Sequence, residues 1–546
     1  MRKRKNAGAL GALTSLILLV AVMPLNPEPA NRALAADNDA RQIAPPELPR
    51  TLIDTAYPTP TGTVRSVAAG GNVQSAIDAA KPGDVIELAA GATFTGPFTL
   101  PVKPGSEYIH IRSSRHGDLP VDGRVGPEHA ALMPKIVCPN ASQAIVTRPG
   151  AHHFWLTGIQ FTVAPDAQIV YSVVVLGDPA QASLDAVPHH LVIDRCFMPD
   201  TDRTVGRGIE LNSAHTAIIN SYISGCHGEG FDTQAICGWS GPGPFKIVNN
   251  YLAGAGENVM FGGADTLIRD LVPSDIEIRR NHIHKPLEWN FTHPSYAGKH
   301  WTVKNLLELK NARRVLIDGN LFENHWGDAQ SGHAVLFTVR NQDGKNPWAQ
   351  VADITATNNI LRNAPAGINI LDEDYAHPSQ RTARIVIRNW LFENIGWEYG
   401  NGTNSLFQLL GGDDIVIDRV TCLALKGNLG VVDKVVNRLQ FTNNIVPKGA
   451  YGLHIDNCGT VEQRLPGRHF DRNVIIGGDA SSWAFGGKNA FPADPRAVGF
   501  VDLGNRNYRL APGSIHAGAG ADLDAIEAAL GGRAGATPTR PRRVQS

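Results

Sequence analysis

The chain has 546 residues, 42% of them hydrophobic and 18% charged, which excludes a disordered polymer. Its 50 Lys and Arg against 51 Asp and Glu give a formal charge of −1, so no basic excess marks a nucleic-acid binder. Gly (56) and Pro (36) are frequent but follow no collagen triplet.

The N-terminus places Arg2-Lys3-Arg4-Lys5 before an apolar run from Ala7 to Leu25, followed by Ala33-Leu34-Ala35. Basic, apolar and small-x-small segments in that order read as a secretory signal peptide over 1–36, and predict a secreted or periplasmic protein. A membrane anchor is the competing reading; Pro24, Pro27 and Pro29 directly after the run oppose it. No other segment reaches the roughly 18 apolar residues of a span, so no membrane association is expected after cleavage. Cleavage removes five basic residues and one acidic residue, leaving about −5. The cysteines (138, 196, 226, 237, 422, 458) are too sparse for a disulfide framework, although Cys226 and Cys237 are placed to pair after export. The alternative is that they serve as small buried hydrophobes.

Residues 37–62 carry Pro45, Pro46, Pro49, Pro58 and Pro60 and read as a Pro-rich linker. Val73, Ala76, Ile77 and Ala80 then fit one face of a short helix, Pro82-Gly83-Asp84 a turn, and Val85–Leu88 a strand. From there a phrase recurs at a noisy period near 30 residues. Examples are Ile276-Glu-Ile-Arg-Arg-Asn281-His-Ile, Val315-Leu-Ile-Asp-Gly-Asn320-Leu-Phe and Ile354-Thr-Ala-Thr-Asn-Asn359-Ile-Leu. Trp390 replaces the Asn in the copy at 385–392. Such a repeat predicts a solenoid whose short strands pair in parallel from coil to coil, about 4.8 Å apart. The recurrent Asn sits at a bend, where its amide can satisfy turn backbone and stack into a ladder. Leucine-rich-repeat and propeller phrases are absent.

These residues resemble the right-handed parallel β-helix superfamily of pectate lyases and related polysaccharide enzymes, over residues 63–525. The opening GGNVQSAIDAAKPGDVIELAAGATFTG looks like its N-terminal helix cap and first rung, and Asn507–Ser514 like its C-terminal rung. The resemblance implies an all-β solenoid with an N-terminal helix cap. The opening helix and Ala521–Leu530 are the expected covers of the two open ends, and 526–546 the cap end and a basic tail. A single closed domain of this kind is expected to be a monomer.

A second set of strands, one per coil, aligns Ile209–Asn212, Val259–Gly262, Leu307–Lys310, Val335–Arg340, Ile368–Ile370, Phe407–Leu409 and Leu453–Asp456. With apolar residues inward, the outward face reads Glu210, Asn212, Glu308, Lys310, Thr338, Arg340, Asn369, Gln408, His454 and Asp456. Loops near its middle carry Glu288-Trp289, His300-Trp301, His325-Trp326, Asp328 and His333. Aromatic faces stack on sugar rings and charged tips hold carboxylates, so an acidic polysaccharide is the expected partner. Glu210, Asn212, Asn369, Trp326, His333 and Gln408 are the candidate substrate-binding residues.

Lys310 and Arg340 on adjacent coils suggest β-elimination on a uronate. That reaction needs the carboxylate neutralised, a base for the proton beside it, and help for the leaving oxygen. Lys310 is the candidate base, Arg340 the candidate acid or carboxylate binder, and Glu308 their neighbour. Asn305-Leu-Leu-Glu308-Leu-Lys310-Asn311 with Arg340 is similar to polysaccharide lyase family six, the alginate lyases and chondroitinase B. That resemblance implies a Lys base, an Arg acid and a calcium held by Asn and Glu, here Asn305 and Glu308. The chain departs from it at Val303, where the family has an acidic calcium ligand, and at Asn341, where a His commonly follows the Arg. The competing classes are a glycoside hydrolase on the same scaffold, governed by paired carboxylates, and a non-catalytic glycan-binding β-helix.

Overall fold

The computed structural model describes residues 43–402, 404–456 and 459–531. The signal segment 1–36, Cys458 and the basic tail beyond 531 lie outside these residues. Among the described residues no helix is long and apolar enough to cross a membrane.

The chain winds into a right-handed parallel β-helix. Three parallel sheets of 15, 12 and 13 strands run its length. The recurrent phrase explains the coil. In Ser274–Arg279, Ile276 and Ile278 point inward and pair with Val315 and Ile317 of the next coil. All four are fully buried, each contributing roughly 1.5–3 kcal/mol. The chain then turns at the Asn and enters the third sheet at His282–His284, where Ile283 again points inward.

The predicted Asn ladder is present. Asn250, Asn281, Asn320 and Asn359 stack on successive coils, the Oδ1 of each of the last three accepting from the preceding Asn N–H at 2.8–3.0 Å. Asn281 Nδ2 donates back to Ile247 O at 2.8 Å and on to Asn320 Oδ1 at 3.0 Å. Trp390 ends this run without leaving a gap, because its indole N–H donates to Ala356 O at 3.0 Å. The ladder resumes at Asn444, Asn473 and Asn489.

A second ladder was not legible in the sequence. At or close to the start of many first-sheet strands one residue adopts positive φ: His153, His190, His215, Asp275, Arg314, Asp353, Arg384, Asp414 and Arg438. This conformation costs such residues about 1–3 kcal/mol each. Stacked partners offset it. His153, His190 and His215 stack face to face at 4.5 Å. Arg314, Arg384 and Arg438 each grip the Asp of the preceding coil through two nitrogens.

These rings give the fold an acid sensitivity. Burial, then the surrounding His rings, holds His153 and His190 down to about 4, against an ordinary value of 6.5. The unfolded chain therefore binds more protons between those values, and the stabilisation present above pH 6.5 is lost as pH falls through 4. The urea midpoint is expected to fall between pH 7 and 4.5. The fall should be smaller in His190→Asn, since Asn tolerates positive φ; an equal fall in both proteins would refute this source.

The helix Val73–Ala79 seats Val73 and Ile77 against the first coil, with the Asn72 side chain capping Ser75 N. At the far end the expected cover is corrected. Leu523–Ala529 lies along the flank, its Leu523 and Ile526 against Leu391, while Trp483 and Phe485 pack over Phe470 of the last coil. Asn507–Leu510 is likewise no rung, pairing antiparallel with Phe500–Asp502. Residues 43–62 have neither helix nor strand but form a seated strap across the first sheet. Glu47 N–H donates to Asp353, Arg50 N–H to Asp275, and Tyr57 packs edge-on against Trp155.

Cys226 and Cys237 are both free thiols. Cys226 belongs to the solenoid interior and Cys237 to an outward cluster with Trp239 and Met260, so the strand separates them. Burial pushes each thiol up to about 12.

Candidate functional site

The charged surface lies on the second sheet. Its central strands are β1 (Thr204–Leu211), β2 (Gln234–Gly238), β3 (Glu257–Phe261), β4 (Asn305–Leu309), β5 (His333–Thr338), β6 (Ala366–Leu371) and β7 (Phe407–Leu410). Register places Glu210, Cys237, Met260, Glu308, Leu336, Asn369, Gln408, Val431 and His454 in one column. The sequence-based column thus holds for Glu210, Glu308, Asn369, Gln408 and His454. It omitted β2 and the strand Gly430–Val432, whose residues interrupt the charge.

Strict alternation fails at the strand starts. Ala235-Ile236, Leu306-Leu307 and Ala334-Val335 each send two consecutive side chains into the core. Residues three apart therefore share the outer face, and a second charged row emerges: Gln234, Glu257 and Asn305, paired in register on β2, β3 and β4.

Glu308 is 2% exposed and well held. Its Oε1 accepts from Thr338 Oγ1 at 3.0 Å and its Oε2 from Asn305 Nδ2 at 2.9 Å. Lys310 Nζ lies 3.6 Å from the same Oε2, and its side chain retains 13% exposure. The Lys310 stem packs over Gly262, whose φ is +94; a Cβ there would stand 2.7 Å from Asn311 N and 2.9 Å from Lys310 Cβ. Only glycine leaves that room.

Glu257 is fully buried. Its Oε2 accepts from Gln234 Nε2 at 2.8 Å, and Lys304 Nζ stands 3.7 Å from its Oε1 and 2.8 Å from Asp232. Burial, then Asp232, pushes the Glu257 carboxyl above its ordinary range, with Lys310 opposing. Burial lowers Lys304, but Glu257 and Asp232 outweigh it and raise the group overall. Beneath lies Lys285, with no exposed surface. Its Nζ donates to the carbonyls of Gly254, Ala255 and Gly256 at 2.6–3.2 Å and to Asn258 Oδ1 at 3.1 Å. Burial draws it down to about 7. This internal amine ties down the turn that delivers Glu257.

Arg340 follows β5, and its N–H donates to Lys310 O at 2.8 Å, so the two residues are backbone neighbours across coils. Its guanidinium donates to Val339 O and sits 5.0 Å from the ring of Tyr375, which is 80% exposed. Among the described residues no hydrogen bond or ion pair joins it to Glu308. Asn341 serves the neighbouring turn, donating to Pro378 O.

Several expected ligand contacts are enclosed instead. Trp326 has no exposed surface and packs with Trp289, Trp301 and Val303. His333 is 2% exposed, and burial takes it down to about 4. Asn212 is buried, its Oδ1 bracketing the N–H groups of Trp239 and Ser240. Glu210 is also buried, held by Ser172 and Asn212. Trp289 and Trp301 line a cavity of about 600 Å³ with Tyr222 and Tyr251, above the third sheet and not beside Lys310. Asn369 and Gln408 remain half-buried on the outer face.

Glu257, Gln234, Lys304 and Tyr375 were missed by sequence reasoning. The signal was a side chain bearing a carboxylate or amide oxygen three residues before the outward-column residue of its strand, repeated as Gln234, Glu257 and Asn305. The cation expectation also shifts. Glu308 has both oxygens engaged, whereas Gln234 Oε1, Glu257 Oε1 and Asn305 Oδ1 are buried without a hydrogen-bond donor. Three such oxygens fit a hard cation such as calcium, with the Lys304 ammonium as the competing charge. When bound, calcium would supply positive charge for a substrate carboxylate.

The sequence matches no protein-family model and no curated protein. Among solved structures it is similar to a PL6 alginate lyase in complex with a trisaccharide, at 12% identity and TM-score 0.46, covering 85% of this chain and 93% of that one. It is similar to the PL6 family alginate lyase AlyGC at 13% identity and TM-score 0.42, covering 78% of this chain but only 53%, about half, of the other. It is also similar to the catalytic unit of a GH87 alpha-1,3-glucanase from Streptomyces thermodiastaticus strain HF3-3, at 13% identity and TM-score 0.46, covering 81% and 71%.

Proposed function

We propose that the chain is an exported polysaccharide lyase that cleaves a uronate-containing glycan by β-elimination. The observation that carries this reading is Lys310. It is a partly exposed amine directly after strand β4, oriented by Glu308 and backbone-bonded to Arg340 of the next coil. Glu308 and the glycine-cleared surface of Gly262 hold the Lys310 stem, so little orientation is lost on binding. In the proposed step the free amine of Lys310 takes the proton beside the sugar carboxylate. The electron pair left behind forms the new double bond as the glycosidic C–O bond breaks, and the leaving oxygen takes up a proton from water. Arg340, displaced from Tyr375 or stacked with it, binds the carboxylate or assists that oxygen.

Glu257 favours a second reading. A carboxyl raised by burial, in one patch with a second carboxyl at Glu308, is the acid-and-carboxylate combination of a glycoside hydrolase. Incubation with alginate, pectate and chondroitin separates the two. The lyase yields products with the ultraviolet absorbance of an unsaturated uronate. Reducing ends without that absorbance would replace it with the hydrolase, and binding without cleavage would remove both.

A further inference from the structure

We propose that His153, His189 and His190, with His152 beside them, form a binding site for a borderline divalent transition ion such as zinc. The site lies on the first sheet, far in sequence from the charged patch of the second. One ring nitrogen from each of His153, His189 and His190 falls within 4.8 Å of the others, and all three rings are half-buried. Coil register assembles them: His152 pairs with His189 and their rings stack at 4.9 Å, while His153 stacks on His190 at 4.5 Å.

Within each coil the two rings also touch. His152 Nδ1 meets His153 Nδ1 at 2.8 Å, and His189 Nδ1 meets His190 Nδ1 at 2.7 Å. One ring of each pair donates and the other accepts. A metal ion can replace that shared proton if the donor ring moves it from Nδ1 to Nε2. Both rings then stay neutral and no proton is lost. Tetrahedral zinc, with Zn–N near 2.0–2.1 Å, sets ligand nitrogens about 3.3 Å apart, so the stacked rings must turn about their side-chain bonds to bring their lone pairs to one point, which their partial exposure leaves room for. The donor set is imidazole alone, which suits zinc, copper or nickel and not calcium or magnesium.

The fold does not demand histidine here. Later coils fill the same positive-φ column with Asp and Arg. The other cluster of potential ligands, His282, His284 and Glu323, is already satisfied: Glu323 is held by Arg362 at 2.6 Å and His282 at 2.8 Å.

Calorimetric titration of the full chain with zinc chloride is expected to show one site per chain. His153→Asn/His190→Asn should weaken it at least about tenfold, Asn being chosen because it accepts positive φ. His189→Gln, outside the positive-φ column, should weaken it as well and serves if the double variant does not fold. His282→Asn/Glu323→Gln should bind as the parent does. The absence of binding heat, undiminished affinity in the folded stack variants, or loss in the His282 variant overturns the proposal.

Discussion

Lys310→Ala is expected to reduce formation of unsaturated product by about two to four orders of magnitude, the contribution of one positioned base. Thermal stability should change little. Lys310 makes one ion pair, at 3.6 Å to Glu308, and Glu308 keeps its bonds from Thr338 and Asn305. Lys310→Arg is the sharper variant. It keeps a long nitrogen-tipped side chain beside Glu308, but a guanidinium does not surrender its proton in proteins and so cannot take one up. Both variants should therefore be inactive although only one loses the nitrogen head group. Activity retained in Lys310→Arg would show that Lys310 supplies charge and not proton transfer. If both variants retain activity while Glu308→Gln or Glu257→Gln loses it, the hydrolase reading takes over.

Asn281→Leu should be the most damaging conservative-sized change in the scaffold, at about 3–6 kcal/mol. The side chain is 1% exposed and accepts from both the backbone and side-chain nitrogens of Asn250. It also donates to Ile247 O and Asn320 Oδ1. Leucine removes these bonds and leaves at least two buried polar groups without partners, at about 1–3 kcal/mol each. In a solenoid the loss is felt by both neighbouring coils, because each coil is stabilised by the next. Asn505→Leu is the control. Asn505 is exposed, lies outside the positive-φ positions and bonds through its side chain to Asp502, so a change within about 0.5 kcal/mol is expected. Denaturant midpoints of the two variants test this. Coinciding midpoints would mean that the ladder does not hold the coils together.

The two ladders differ in how far sequence could reach them. The Asn ladder was legible because each Asn sits five residues after the first inward aliphatic residue of its own coil, so one coil suffices to place it. The positive-φ column was not. Nothing local to His153, Asp275 or Arg314 calls for a left-handed backbone; the compensation comes from a ring or carboxylate one coil away. The same limit applies to the cysteines, since proximity in sequence says nothing about which side of a strand each thiol faces.

The sequence by itself determined the coil: aliphatic residues in alternation, a bend, and repetition force strands to stack in parallel and their apolar faces inward. It also placed Glu308 and Lys310 together, because two residues on one strand share a face. Only the tertiary structure decided what surrounds them. Glu257 pairs in register with Asn305, 48 positions further along the chain, and loop length does not fix register. Two consecutive inward residues shifted the outer row by one position, which brought Gln234 and Glu257 beside the charged strand. Trp326 and His333 read as ligand contacts by residue type, yet they are sealed by packing that depends on how distant loops fold over one another. Local periodicity sets which face a residue takes, whereas the partners on that face are set by contacts between coils.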